Sequence, residues 1–349
     1  MTIGVGLAGF GLAGRILHAP FIAPAGMVVR AVATSRADEV AADFPDAQCV
    51  AEFDALLKQP DVDLVVIVTP NRLHYPQAKA ALEAGKHVVV DKPFTLSYPQ
   101  ADELDAFAKS KNLKLSVFQN RRWDSDFLTI QKLIQSGQLG TILRFEMRWD
   151  RYRPSVQDRW RERPGHGNGM LFDLGSHLFD QSLQLFGAPD WVQADVAIQR
   201  DGGEADDSFD VLMGKGKLRI SLGVSSVAAD NQTRYRIYGE QGAYTKSGLD
   251  VQEAQMRAGI APDADGFGKE PESQWGSLFL SENEGQPHPP ERGNWLTFYS
   301  AMREAIELDA PVPVSARSAG DVVALIELAS EAASSGKRIH LSDKSRWAN

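Results

Sequence analysis

Apolar residues in the first third of the chain fall into short runs separated by amphipathic stretches. Ile3–Ala8, Met27–Thr34, Leu64–Val68, Val88–Val90 and Leu113–Phe118 read as strands, several of them apolar on both faces. Helix-like stretches lie between and beside them at Leu12–Phe21, Ala37–Phe44, Phe53–Leu57, His74–Ala84 and Tyr98–Lys109. Pro76 falls in the first turn of its helix, where the missing N–H costs nothing. Alternation at this spacing predicts βαβ units and a doubly wound parallel sheet.

The second part has another pattern. After a helix at Ser125–Gln135, Leu143, Phe145, Met147 and Trp149 alternate with Arg144, Glu146, Arg148 and Asp150, as in a strand with one buried face. Trp191–Gln199, Ser208–Met213, Leu218–Val224 and Tyr235–Tyr238 continue the series. This is an α+β domain with a large open, mainly antiparallel sheet, whose outer face is either wet or covered by another subunit. Ala258–Gln286 is rich in glycine, proline and acids and reads as a surface excursion, before helices near Trp295–Leu308 and Ser318–Ser335. At 349 residues the chain exceeds one ordinary core. The expected fold class is α/β, with a nucleotide-binding domain over 1–119 and a substrate-binding and oligomerisation domain over 120–349.

Charge and composition narrow the function. A net charge of −9 argues against non-specific binding to nucleic acid or an anionic membrane. The single cysteine, Cys49, excludes an internal disulfide and a cysteine-rich metal site and fits a reducing compartment. No apolar run approaches the roughly 18 residues that span a bilayer. The first residues show neither a charged leader nor a cleavage site, so a cytoplasmic protein is expected.

The first strand runs into Gly9-Phe10-Gly11-Leu12-Ala13-Gly14, a G-x-G-x-x-G turn opening a helix. Its glycines permit the tight turn, backbone approach to a pyrophosphate and close helix packing, which predicts dinucleotide binding. An acid at the end of the second strand would bond a ribose diol. Here that position reads Thr34-Ser35-Arg36, with no acid until Asp38. Ser35 and Arg36 favour NADP(H), with NAD(H) possible; the plainer alternative is a solvated loop. Thr69-Pro70-Asn71 and Asn120 end other strands at the same edge, where the asparagines either contact ribose or nicotinamide or cap turns. His74 is counted with this set, although a structural place in the first turn of its helix is the stronger reading.

Val88–Val90 breaks off into Asp91-Lys92-Pro93, placing an acid, an amine and a stiffening proline just beyond a strand end, where ligands lie in open α/β sheets. Lys92 is expected to serve cofactor and substrate alike. Beyond the glycine-rich turn Pro164–Gly169, Asp173, His177, Asp180 and Gln184 form one polar stripe on a helix otherwise apolar almost all round. Such a helix is buried, so its stripe faces a cavity or paired partners. Asp173, one turn before His177, can orient the imidazole as a general base. The loop Trp149–Gly169 carries Arg151, Tyr152, Arg153, Arg159, Trp160 and Arg163, suited to gripping a hydroxyl-rich ligand or else simply a solvated basic loop.

Together, Gly9–Gly14, Asp91-Lys92-Pro93 and the Gly169-x-x-x-Asp173-x-x-x-His177-x-x-Asp180 spacing resemble the glucose–fructose oxidoreductase/inositol dehydrogenase/MocA family. Gly11–Arg15, His87–Phe94 and Asn120–Phe127 are most similar to its branch of NADP-dependent scyllo-inositol dehydrogenases. The resemblance implies a Rossmann domain and a carboxy-terminal domain whose open sheet forms homodimers or homotetramers. Lys92, Asp173 and His177 are the expected catalytic residues, with Arg122 and, from the loop, Tyr152 and Trp160 expected beside them at a polyol, inositol or sugar. The family usually carries glutamate where this chain has Asp91. No metal is expected, because proton transfer explains Asp173, His177 and Asp180 better than ligation does. Alternatives are a hydride-shuttle glycosidase or a nonenzymatic NADP(H) sensor. Whether Pro93 follows a cis bond stays open.

Overall fold

The computed structural model describes residues 2–230, 233–280, 284–341 and 347. The chain folds into two compact units, one of residues 1–120, 252–267 and 294–320, the other of residues 121–251, 268–293 and 321–349. This differs from two contiguous segments, because two later stretches return to the first unit.

The first unit holds β1 (Gly4–Ala8), β2 (Val28–Ala33), β3 (Gln48–Val50), β4 (Leu64–Ile67), β5 (His87–Asp91) and β6 (Leu115–Phe118). They form one sheet in the order β3-β2-β1-β4-β5-β6, with every pair parallel. The order reverses between β1 and β4, the crevice where such sheets bind ligands. β1 and β4 are buried throughout, as expected of strands covered on both faces. Edge strand β3 escapes the sequence pattern, being three residues long. The expected helix at Leu12–Phe21 is a π-turn over Ala13–His18 continued by Ala19–Ile22. Residues 252–267 and 294–320 join this unit through its aromatic core. Phe21 packs against Phe267 at 6.2 Å, Trp295 at 6.4 Å and Tyr299 at 6.4 Å between ring centres.

The second unit holds β7 (Ile142–Arg148), β8 (Trp191–Ala197), β9 (Ser208–Lys215), β10 (Leu218–Ser225), β11 (Thr233–Gly239), β12 (Gly242–Ser247), β13 (Gly276–Leu280), β14 (Gln286–His288) and β15 (Ile339–His340). They make a nine-stranded sheet in the order β14-β13-β12-β11-β7-β10-β9-β8-β15. All its pairs are antiparallel except β7 with β10. Phe145 and Met147 are fully buried on β7 while Arg144 is exposed, as the alternation requires. The Ala258–Gln286 excursion is corrected in part: it contains β13 and the start of β14, added beyond β12. Residues 281–283 of that stretch lie outside the described residues. No helix among the described residues is long and apolar enough to cross a membrane.

Candidate active site

At the end of β1 the glycines divide their tasks. Gly9 has φ +104°, and a Cβ there would meet the Val68 carbonyl oxygen at 2.8 Å. A Cβ on Gly14 would lie 2.4 Å from the Gly9 carbonyl oxygen, so the helix can enter the turn this closely only without a side chain. A Cβ on Gly11 would meet nothing within 4 Å, leaving the open backbone approach a pyrophosphate needs. Phe10 contributes backbone only: its ring is buried, 6.1 Å from the Phe44 ring. Leu12 is exposed. This turn fits a dinucleotide.

On the β2 side Ser35 and Arg36 are exposed, and Arg36 Nη1 donates to Glu39 Oε1 at 3.2 Å. Glu39 also accepts from Arg15 at 2.9 Å, and Asp43 holds the same guanidinium at 2.5 and 3.1 Å. Arg15, next to Gly14, is absent from the sequence-derived site. Its position after the last glycine was the available signal.

On the other side of β1 the carboxyl ends of β4 and β5 stand side by side. Thr69 donates from Oγ1 to Gln77 at 2.6 Å, and Pro70 leads into Asn71, which is buried like Asn120. His74 is 1 % exposed, and its two ring nitrogens each lie 2.8 Å from a carbonyl oxygen, Nδ1 from Pro93 and Nε2 from Thr69. The Lys92 N–H donates to Asp91 Oδ1 at 2.8 Å, and the Lys92–Pro93 bond is cis. Below them His18, fully buried, has Nε2 3.7 Å from Asp91 and Nδ1 2.6 Å from the Tyr299 hydroxyl. Burial works to raise the Asp91 pKa, but His18 and the charge of Lys92 hold the carboxyl below its usual range. Burial pushes the Tyr299 hydroxyl well above its own. No pattern pointed to His18, which sits inside a short helical stretch.

In the second unit, Gly169 has φ +84°, and a Cβ there would fall 1.9 Å from Asp206 Oδ1. Asp206 reaches over this glycine to accept from the Leu171 N–H at 2.7 Å, and burial raises its pKa to about 6. The single helix expected after Gly169 is two segments, Met170–Asp173 and Gly175–Phe186, meeting at Leu174. The His177 N–H reaches the Leu174 carbonyl at 3.0 Å in a tightened turn. The helix is buried as expected, His177 being 5 % and Asp180 2 % exposed, while Gln184 leads the stripe out to solvent.

His177 stacks on Trp149, ring centres 5.5 Å apart and planes within 30°. Trp149 in turn has the guanidinium of Arg121 4.4 Å from its ring centre, that of Arg234 at 4.6 Å and that of Arg151 at 5.7 Å. Asp173 lies 3.8 Å from Arg161. Arg122, expected at the substrate, is gripped by Asp180 through two bonds of 2.9 and 2.5 Å. Tyr152 is exposed, and Trp160 has the Arg161 guanidinium 4.8 Å from its ring. Trp149 was read as a buried position of the alternating strand and as the start of the loop after it, so its contact with the imidazole needed the fold to reveal it. Among the described residues no group of three or more His, Cys, Asp or Glu is arranged to hold a metal ion.

Comparison with known proteins covers both units. Residues 3–119 match the oxidoreductase family with an NAD-binding Rossmann fold, and residues 127–245 match the GFO/IDH/MocA C-terminal domain. The chain is 43 % identical over 342 residues to the uncharacterized oxidoreductase YdgJ of Escherichia coli, covering 95 % of this chain and 96 % of that one. It is 40 % identical over 344 residues to the scyllo-inositol 2-dehydrogenase (NADP(+)) IolW of Bacillus subtilis, covering 97 % and 96 %. Among solved structures, the putative oxidoreductase yvaA of Bacillus subtilis superposes with a TM-score of 0.94 at 39 % identity, covering 98 % and 99 %. With the glycine turn, the lysine after β5 and the buried histidine helix all in place, and likeness running the length of the chain, this protein belongs to the GFO/IDH/MocA family and is an oxidoreductase.

Proposed function

We propose that the protein transfers a hydride between a secondary alcohol of a polyol, inositol or sugar and the nicotinamide of NADP(H), with scyllo-inositol the first compound to test. The observation carrying this reading is the order of strands around the glycine turn. Lys92 leaves β5 two strands from β1, about 10 Å across the sheet at ordinary strand spacing. That is the side opposite β2, where Ser35 and Arg36 would face the adenine ribose and its phosphate. A nucleotide seated on Gly9–Gly14 would then have its reacting end toward Lys92, Asn71 and Asn120, with Asp91 and His74 close to the same strand ends. The IolW name supports both the cofactor and the substrate class.

The nicotinamide, when bound, supplies the hydride chemistry. His177 would accept the hydroxyl proton, its ring stacked on Trp149 with the planes 30° apart, and Asp173, four residues earlier, is the group that would tune it. Lys92 would bond the reacting oxygen and stabilise its developing negative charge. In the reductive direction His177 would return the proton to the oxygen, while Lys92 again holds that oxygen by a hydrogen bond.

The test is purified protein with NADP⁺ and NAD⁺ against a panel of inositols and sugars, followed at the nicotinamide absorbance. Lys92→Ala and His177→Ala should each lower kcat on the order of 10²–10⁴-fold. If they act on one carbon, the double variant should be scarcely worse than either single one. Undiminished activity in either single variant refutes its role.

A further inference from the structure

We propose that His74 is held as an imidazolium in the folded protein and acts as the positioning residue of Lys92. The second half rests on the reading of Lys92 given above; the first half stands on geometry alone.

Both ring nitrogens of His74 face atoms that only accept. Nδ1 lies 2.8 Å from the Pro93 carbonyl oxygen and Nε2 2.8 Å from that of Thr69. A neutral imidazole carries one N–H and one bare lone pair. It would satisfy one carbonyl and set lone pair against lone pair at the other. A ring with both nitrogens protonated donates to both. At 1 % exposure, solvent does not replace a missing proton there.

Two influences oppose each other at this ring. Burial, the largest influence, brings its pKa below the ordinary imidazole value and Lys92 adds to the effect, while Asp91 and the two carbonyls act to raise it. Against that downward pull stand the two carbonyl contacts, which a neutral ring could not both satisfy. Hydrogen bonds from a charged donor are shorter and stronger than neutral ones. The Asp91 carboxylate lies on the same strand end and is held in its charged form.

The imidazolium then ties together the segments that follow β4 and β5. Thr69 closes one and Pro93 the other, and Lys92 is the residue between Asp91 and Pro93. Its backbone is fixed on one side by the N–H bond to Asp91 and on the other by the Pro93 carbonyl bound to the ring. A lysine side chain is long and rotamer-rich, so the direction of its Cα–Cβ bond is what the fold can set. His74 and Asp91 fix that backbone on its two sides with opposite charges.

The test begins with the unmodified protein. Nitrogen-15 NMR of ¹⁵N-histidine-labelled full-length chain at neutral pH distinguishes an imidazolium, with two protonated ring nitrogens, from a neutral tautomer with one bare nitrogen. Seven histidines are present, and His74 is assigned by single substitution of each. An imidazolium signal for His74 is expected; a bare-nitrogen signal overturns the proposal. The positioning role is read in His74→Gln, whose amide reaches one carbonyl but not both, and in His74→Asn. Lowered kcat on the order of tenfold to a hundredfold is expected, with NADP⁺ affinity by fluorescence quenching within twofold of the parent. A folded variant with kcat unchanged overturns the positioning role. If Lys92→Ala keeps full activity, the catalytic reading of Lys92 falls while the NMR result stands on its own.

Discussion

Arg36 lies two residues beyond Thr34, where an NAD enzyme would carry its diol-binding acid, and its guanidinium is engaged by Glu39 at 3.2 Å. The pair is exposed, and such pairs contribute about 0–1 kcal/mol. A ribose phosphate would take Arg36 from Glu39 with little loss and gain a planar double donor. Glu39 nevertheless holds negative charge beside both Arg36 and Arg15. Glu39→Gln should therefore raise the ratio of kcat/KM for NADP⁺ over NAD⁺ several-fold, and Arg36→Ala should lower it; steady-state kinetics with both nucleotides reads each change. A ratio that falls in Glu39→Gln would mean the acid assists the phosphate site by holding its arginines in place. At this scale Gly9–Gly14 and Lys92 were legible because each follows an apolar run and breaks it with a residue type that has a local task. Arg15 and His18 were not, since their partners, Asp43 and Tyr299, are brought up only by folding.

The helix Gly175–Phe186 shows how an element can be read correctly and its contacts still missed. Its near-continuous apolar circumference announced burial, and the polar stripe announced His177. The break at Leu174 and the partner of Asp180 were out of reach. Asp180 is 2 % exposed and bonded twice by Arg122. Removing one member of such a buried pair costs about 3–5 kcal/mol, whereas replacing both by apolar residues is often neutral. Arg122→Ala should accordingly lower stability to urea by about that amount, and Arg122→Met with Asp180→Leu should recover most of it. A variant of normal stability with a raised substrate KM would instead place Arg122 at the ligand. Strands β12 to β15 were missed for a related reason. β14 and β15 are two or three residues long, and β12 and β13 alternate weakly, so pairing with neighbours rather than local pattern makes them strands.

Two carboxyl groups of the second unit each add a pH dependence to stability. Burial raises Asp206 to about 6 and Glu270 to about 7, the latter despite the buried Lys246 ammonium 3.2 Å away. Unfolded carboxyls release their protons near pH 4. Between pH 4 and 7 the folded state thus holds protons that the unfolded state has lost. The stability these groups contribute is complete below about pH 4 and declines until about pH 7. Compared with the parent, Glu270→Gln should lose this downward contribution to denaturant midpoints measured from pH 5 to 7, whatever its effect on absolute stability. An unchanged slope would contradict the assignment. Beyond such groups, what the chain announces in advance is local: periods of two and of 3.6, turns that need glycine, and an amine or imidazole set where an apolar run ends, because these are written in neighbouring residues. What arises only on folding is the meeting of distant ones. Two later stretches return to complete the first unit, Trp149 comes to lie on His177, and Arg122 closes on Asp180, because burial and hydrogen-bond satisfaction are settled between segments and carry no periodic trace in any one of them.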